Sequence, residues 1–246
     1  RRLKSVSLSA HLSIASENLT VTARNIIAEI PGTQPKDGWI LACGHYDGHD
    51  IAQGAQDNAA GMAVLLEVAR LLKPNSSYLK AGIRFVFFSG EELGLFGSHA
   101  YAKSHLEEMD DLRLVFNADV VGLAMPLVLQ TQASPELAAY FRTLPLESLD
   151  AKVNDGPKSF IMNSDHFPFS LRGVSAVWAV TSSPGTGGGW AHTAADTFDK
   201  VDMRLVRQTA STAARLLMWL ASNPDALPCG RKSLDVIQKN LYEAGF

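Results

Sequence analysis

Four stretches of the chain are almost unbroken in apolar residues: WILACG (39–44), IRFVFFS (83–89), LRLVFNADV (112–120) and VSAVWAV (174–180). Strands covered on both faces of a sheet read this way, because neither side of the pleat meets water. NIIAEI (25–30) and PLVLQT (126–131) are further strand candidates, expected nearer a sheet edge. Between these runs the apolar residues switch to helical spacing. From Asn58 to Lys73, Met62, Leu65, Leu66, Ala69 and Leu72 recur at i, i+3, i+4, i+7 and i+10, and Pro74 stops the pattern. Further helices are predicted over 93–106, over 135–144 with Ser134 as N-cap, over 202–222 up to NPDALP, and over 233–244. The first 24 residues are less regular and are read as a remnant edge strand. Strands alternating with helices predict an α/β fold, a mostly parallel sheet with helices on both faces.

Composition narrows the class. A chain of 246 residues suits one large α/β domain, and 46% hydrophobic with 19% charged residues is ordinary globular usage. Lys and Arg number 22 against 25 Asp and Glu, a net charge of −3, with no basic cluster. That argues against a nucleic-acid partner. No apolar run is long enough to cross a membrane. The two cysteines, Cys43 in a strand-like run and Cys229 in a Pro/Gly loop, supply no thiolate zinc motif. The chain opens RRLKSVSLSA, with no apolar signal core and no initiator Met, so it is expected to be a processed or excised piece. SSPGTGGGW (182–190) lacks the strand–GxGxxG–helix setting of a nucleotide loop and is read as a mobile active-site loop.

The chemistry collects where the apolar runs end. WILACG runs into His45-Tyr46-Asp47, IRFVFFS into Gly90-Glu91-Glu92, and LRLVFNADV carries Asp119 at its end. VSAVWAV leads to GWAHTAAD with His192, and Asp57 opens the first long helix. Open α/β sheets bind ligands beyond the carboxyl ends of their strands, so His45, Asp57, Glu91, Glu92, Asp119 and His192 can meet on one rim. Two imidazoles and several carboxylates without Cys suit zinc, cobalt or manganese. The carboxylates outnumber what one zinc takes, whereas two metals sharing a carboxylate use the whole set. Of the adjacent glutamates, one can bind metal while the other faces the substrate as a base. His11, His49, His99 and His105 are assigned surface or local roles, and Asp50 a loop role. His166, in NSDHFPF, is either a further polar group at the site or the cap of a turn before Pro168.

GHYD, GAQDNAAGMAVLLEVAR, FFSGEELGLFGS, NADVVG, SDHFPF and HTAADTFDKVD occur in the order seen in the di-zinc exopeptidases. Over roughly 25–202 the chain resembles the co-catalytic zinc aminopeptidase family, which includes bacterial leucyl-type aminopeptidases and carboxypeptidase Q. The spacing HYDGHDIAQGAQDN is most similar to the carboxypeptidase Q-like branch. The resemblance implies the zinc-exopeptidase fold, a three-layer sandwich around a mixed, mostly parallel sheet. It implies two Zn2+ (Co2+ or Mn2+ as substitutes), one held by His45 and Asp119, the other by Glu92 and His192, with Asp57 bridging. Glu91 resembles the general base, taking a proton from a water between the metals, and Asp47 the acid that orients His45. The implied activity is hydrolysis of the terminal bond of a peptide substrate, of aminopeptidase type. A carboxypeptidase Q-like dipeptidase or carboxypeptidase, and a non-catalytic binding module on the same fold, are the alternatives. The family further implies an exported parent with an N-terminal segment and a protease-associated domain that this piece lacks. Phe160, Ile161, Phe167 and Trp190 are candidates for a side-chain pocket.

Overall fold

A computed structural model of the chain describes residues 9–17, 19–156, 160–181, 189–228 and 230–245. Its central sheet has seven strands: β1 (Ile26–Ile30), β2 (Trp39–His45), β3 (Gly82–Phe88), β4 (Leu112–Ala118), β5 (Leu127–Gln130), β6 (Ala151–Asn154) and β7 (Ala176–Val180). The spatial order is β1-β3-β2-β4-β7-β5-β6. The inner strands β3, β2, β4 and β7 run parallel, whereas β1 pairs antiparallel with β3 and β5 antiparallel with β7. The sheet is therefore mixed and mostly parallel at its centre, as expected.

Alternation along the inner strands builds two cores. Ile40, Ala42, Ile83, Phe85, Leu114, Phe116 and Val177 face helices α1 (Ala60–Leu72) and α5 (Met203–Ser222). Leu41, Cys43, Val86, Phe88 and Val115 face the other way, toward α2 (Phe96–Ser104) and the short α4 (Phe167–Ser170). Each side chain fully buried here contributes about 1.5–3 kcal/mol, which is why these runs carry so few polar residues. α5 shows the helical logic most clearly. Val206, Ala210, Ala213, Leu217 and Leu220 line its buried stripe, and Asp202 caps it by accepting from the backbone N–H of Arg204 at 2.8 Å. Ser134 likewise caps α3 (Pro135–Arg142), accepting from Leu137 N–H, and Ser233 caps α6 (Leu234–Glu243).

The structure departs from the sequence reading in several places. No strand forms before Ile26 among the described residues; 9–17 and 19–25 are almost wholly exposed, so the apolar residues there gain nothing from a partner. The helix expected from residue 93 begins at Phe96, because Glu91 to Leu95 form a turn and Leu95 adopts a left-handed φ of 58°. The helix expected from Asn58 begins at Ala60, after a single wide turn over Ala55–Ala59. β6 and α4, four residues each, are too short to leave a periodic signal. β5 lies second from one edge of the sheet, with β6 outside it. Residues 182–188 of the Gly-rich loop, and Cys229, lie outside the described residues.

His166 is packed between sheet and α4. Its Nε2 lies 3.1 Å from the Ile161 carbonyl and its Nδ1 3.2 Å from the Asn117 amide, so the neutral ring donates to the first and accepts from the second. Both nitrogens are used, and the residue joins none of the candidate metal groups.

Two predictions follow from this packing. A Cβ at Gly61 would lie 2.2 Å from Asn58 Oδ1 and 2.7 Å from the Ala118 carbonyl oxygen, so α1 can lie this close to β4 only without a side chain there. Gly61→Ala is expected to cost about 1–3 kcal/mol in urea unfolding. Burial pushes the His166 imidazole down to about 4, below its unfolded value. Its share of stability is present above the unfolded pKa and is lost as pH falls through 4. Heteronuclear NMR should show a neutral His166 ring at pH 5.5; titration near pH 6.5 would contradict this packing.

Candidate metal centre

Chain connectivity opens a crevice at one end of the sheet. β2 leads through α1 to β3 on one side, and the chain then crosses to β4 on the other side of β2. Such a switch point leaves space beyond the strand ends. His45 is the last residue of β2, Asp119 follows β4, and Glu91 and Glu92 sit in the turn after β3. Asp57 lies in the wide turn before α1, next to a cis Asp57–Asn58 peptide. His192 reaches in from the loop after β7, with a left-handed φ of 59°.

All six groups converge. His45 Nε2 is 3.1 Å from Asp57 Oδ1 and 3.3 Å from Asp119 Oδ1. His192 Nε2 is 3.2 Å from Asp57 Oδ2 and 3.1 Å from Glu92 Oε2. Asp57 thus presents one oxygen to each histidine. Glu91 is buried, with Oε2 4.0 Å from His45 Nε2.

Asp47 acts differently from the expected carboxylate clamp on His45. The nearer partner of His45 Nδ1 is the Asp47 main-chain oxygen at 3.0 Å, with the carboxylate 3.7 Å away. The Asp47 carboxylate instead accepts the backbone N–H groups of Glu91 and Glu92, at 3.2 and 3.3 Å. It ties the β3 turn to the β2 loop.

The donor set fits cations. With Nδ1–H donating to the Asp47 carbonyl, a neutral His45 turns the lone pair of Nε2 toward two carboxylate oxygens. Acceptors then face acceptors in a site where His45 is only 1% exposed, and either an added proton on His45 or a cation between them removes the conflict. Glu92 Oε1 is also buried without a hydrogen-bond partner. The electrostatics carry the same mark. Burial, helped by Asp119, Asp165 and Glu92, pushes the Glu91 carboxyl up to about 9 against the pull of His45. Burial also raises Glu92. Burial works against a charged His45, but hydrogen bonds to Asp119 and Asp57 outweigh it and hold the imidazole well above its usual range. His45, Asp57 and Asp119 form one group whose donor atoms lie within 4.8 Å of one another, and His49, Glu92 and His192 form another.

Three residues at the site escaped the sequence reading. His49, given only a surface or local role, has Nε2 2.9 Å from Glu92 Oε2. Asp196, buried, accepts the backbone N–H groups of Gln56 and Asp57 at 2.8 and 3.1 Å and so sets the turn that carries Asp57. The only hint was its place four residues after His192. Ser164 donates to Asp119 Oδ2 at 2.5 Å, a pairing between segments 45 residues apart that no local pattern announces.

The groups open into a cleft of about 540 Å3. Leu95, Val120, Met162, Phe167 and Trp178 form apolar parts of its wall. Of the four pocket candidates, Phe167 is there. Phe160 packs edge-on behind it, ring centroids 6.2 Å apart, and Trp190 sits in a neighbouring groove near Lys200. Ile161 does not line the cleft; its carbonyl holds His166.

Comparison with known proteins identifies the family. The chain is 31% identical to aminopeptidase YwaD of Bacillus subtilis over 203 residues, 76% of this chain and 42% of that protein. It is 33% identical to carboxypeptidase Q of Xenopus laevis over 115 residues, 47% of this chain and 24% of that protein. It superposes on the zinc aminopeptidase BSAP from Bacillus subtilis with a TM-score of 0.68 at 28% identity, covering 85% of this chain and 53% of that one. The chain spans less than half the length of both curated relatives. The model of peptidase family M28 matches residues 25–217, so a sheet whose inner strand ends gather these histidines and carboxylates belongs to a chain of peptidase family M28.

Proposed function

We propose that this chain is the catalytic domain of a metal-dependent exopeptidase of aminopeptidase type that uses two metal ions. The observation that carries the reading is Asp57, with one oxygen beside His45 and the other beside His192. His45, Asp119 and Asp57 would hold one ion, and Glu92, His192 and Asp57 the other, zinc being the natural choice for this N/O donor set. When bound, the ions supply Lewis-acid activation of the attacking water and of the scissile carbonyl.

The chain's own residues do the rest. Glu91 takes the proton of the water as its oxygen attacks the carbonyl carbon, then delivers it to the leaving nitrogen as the C–N bond breaks. Asp47 keeps Glu91 and Glu92 in register by holding both of their N–H groups. Asp196 does the same for Asp57. The apolar wall around Phe167 excludes water and receives the substrate's terminal side chain.

The lack of a cationic side chain among the described residues of the cleft favours an amine terminus over a carboxylate. Its described lining has no Lys or Arg to pair a substrate carboxylate. Similarity to carboxypeptidase Q keeps a dipeptidase or carboxypeptidase as the second reading. Export of the parent protein belongs to the same proposal, on the family resemblance; among the described residues no helix is long and apolar enough to cross a membrane.

Glu91→Gln is expected to lower kcat by about 10²–10⁴-fold, the usual share of a general base, while zinc content per chain stays unchanged. Near-normal turnover in that variant would remove Glu91 from the reaction. Chelator treatment is expected to abolish hydrolysis of free-amine aminoacyl-anilides, and zinc to restore it, with N-blocked substrates untouched throughout. Cleavage of N-blocked peptides from their carboxyl end would favour the second reading.

A further inference from the structure

We propose that His49 is a further protein donor, joining Glu92, His192 and the shared Asp57, at the more exposed of the two cation positions. This rests on the two-metal reading above and goes beyond the five ligands that reading names. His49 Nε2 lies 2.9 Å and His192 Nε2 3.1 Å from the same oxygen, Glu92 Oε2. The two rings meet edge-on, with centroids 4.5 Å apart. The three donor atoms all fall within 4.8 Å of one another.

Placement of His49 is built into the fold. Its loop is pinned to the segment that carries His192. Gln53 N–H donates to the Asp196 carbonyl at 3.2 Å, and Phe198 N–H to the Gln53 side-chain oxygen at 2.8 Å. Asp196 in turn accepts the N–H groups of Gln56 and Asp57. One network therefore places both imidazoles and the shared carboxylate.

The two positions also differ in need. His45, Asp57 and Asp119 are all buried, so an ion among them is shielded from water. On the other side the His192 side chain is 61% exposed and that of His49 34%. An ion there competes with solvent, and a third side-chain donor beside the shared Asp57 retains it. Imidazole nitrogen is a good zinc donor, and His49, His192 and Glu92 form a mixed N/O set of the kind zinc accepts.

Zinc-edge X-ray absorption and chelator competition, on the full chain, test this. Two zincs should share three imidazoles, from His45, His49 and His192. His49→Ala should drop the count to two imidazoles and weaken one of the two binding steps about 10–100-fold, the range typical of lost support at a metal site. The other step should hold. His49→Asp, which restores a donor, should recover part of the loss. Circular dichroism checks that each variant is folded, and the imidazole count of the unaltered chain decides the matter even if His49→Ala is not. Two zincs with two imidazoles in the unaltered chain, or two unchanged affinities in a folded His49→Ala, would overturn the role of His49 and leave the two-metal reading standing. Failure of the unaltered chain to take up two zincs would overturn both.

Discussion

The Asp57 carboxylate, shared between His45 on one side and His192 on the other, sets the terms for everything around it. Four carboxylates and three imidazoles meet within a few ångströms, in a crevice where burial makes each negative charge costly. Burial pushes the Glu91 carboxyl up, and hydrogen bonds to Asp119 and Asp57 raise the His45 imidazole against the effect of its own burial. The scaffold must therefore force together groups that repel, and much of the polar structure nearby does this. Asp196 grips the turn of Asp57, Asp47 grips the turn of Glu91 and Glu92, and Ser164 grips Asp119.

That force comes from the two hydrophobic layers. β2 lies between β3 and β4 with side chains buried on both faces, so His45 cannot shift without dragging the core with it. α1 enters against this strand at close range. A Cβ at Gly44 would strike the Ala118 carbonyl oxygen at 2.6 Å, and one at Gly61 would strike it at 2.7 Å. The Asn58 side chain closes the same gap by donating to that carbonyl at 2.9 Å. Absence of side chains at two positions thus lets the turn bearing Asp57 come within reach of the strand ends bearing His45 and Asp119.

The elements legible in the sequence were those whose periodicity reflects burial. The inner strands read clearly because nearly every position is buried, and α5 because its buried stripe recurs along its whole length. β6, four residues at the edge, and α4, a single turn, are held by neighbours and carry no pattern of their own. The late start of α2 had a cause in three dimensions: the N–H groups of Glu91 and Glu92 bind Asp47, from 44 and 45 residues away, instead of opening a helix. The contact of His49 with Glu92 was hidden for a similar reason. Along the chain it is one polar residue in a polar loop, and only the loop's attachment to Asp196 turns it toward Glu92.

By itself, the sequence determined the layered α/β architecture and the residue types gathered at the strand ends, because burial and strand direction act locally and leave their mark on residue order. Tertiary structure alone decided which oxygen faces which nitrogen. It assigned the Asp47 carboxylate to the backbone of Glu91 and Glu92 and brought in Asp196, Ser164 and His49. It also withdrew His166 into the core, where Asn117 and Ile161 occupy both its nitrogens. These are contacts between segments distant in the chain, and their partners are chosen by the geometry of the packed sheet, which no local pattern of residues encodes.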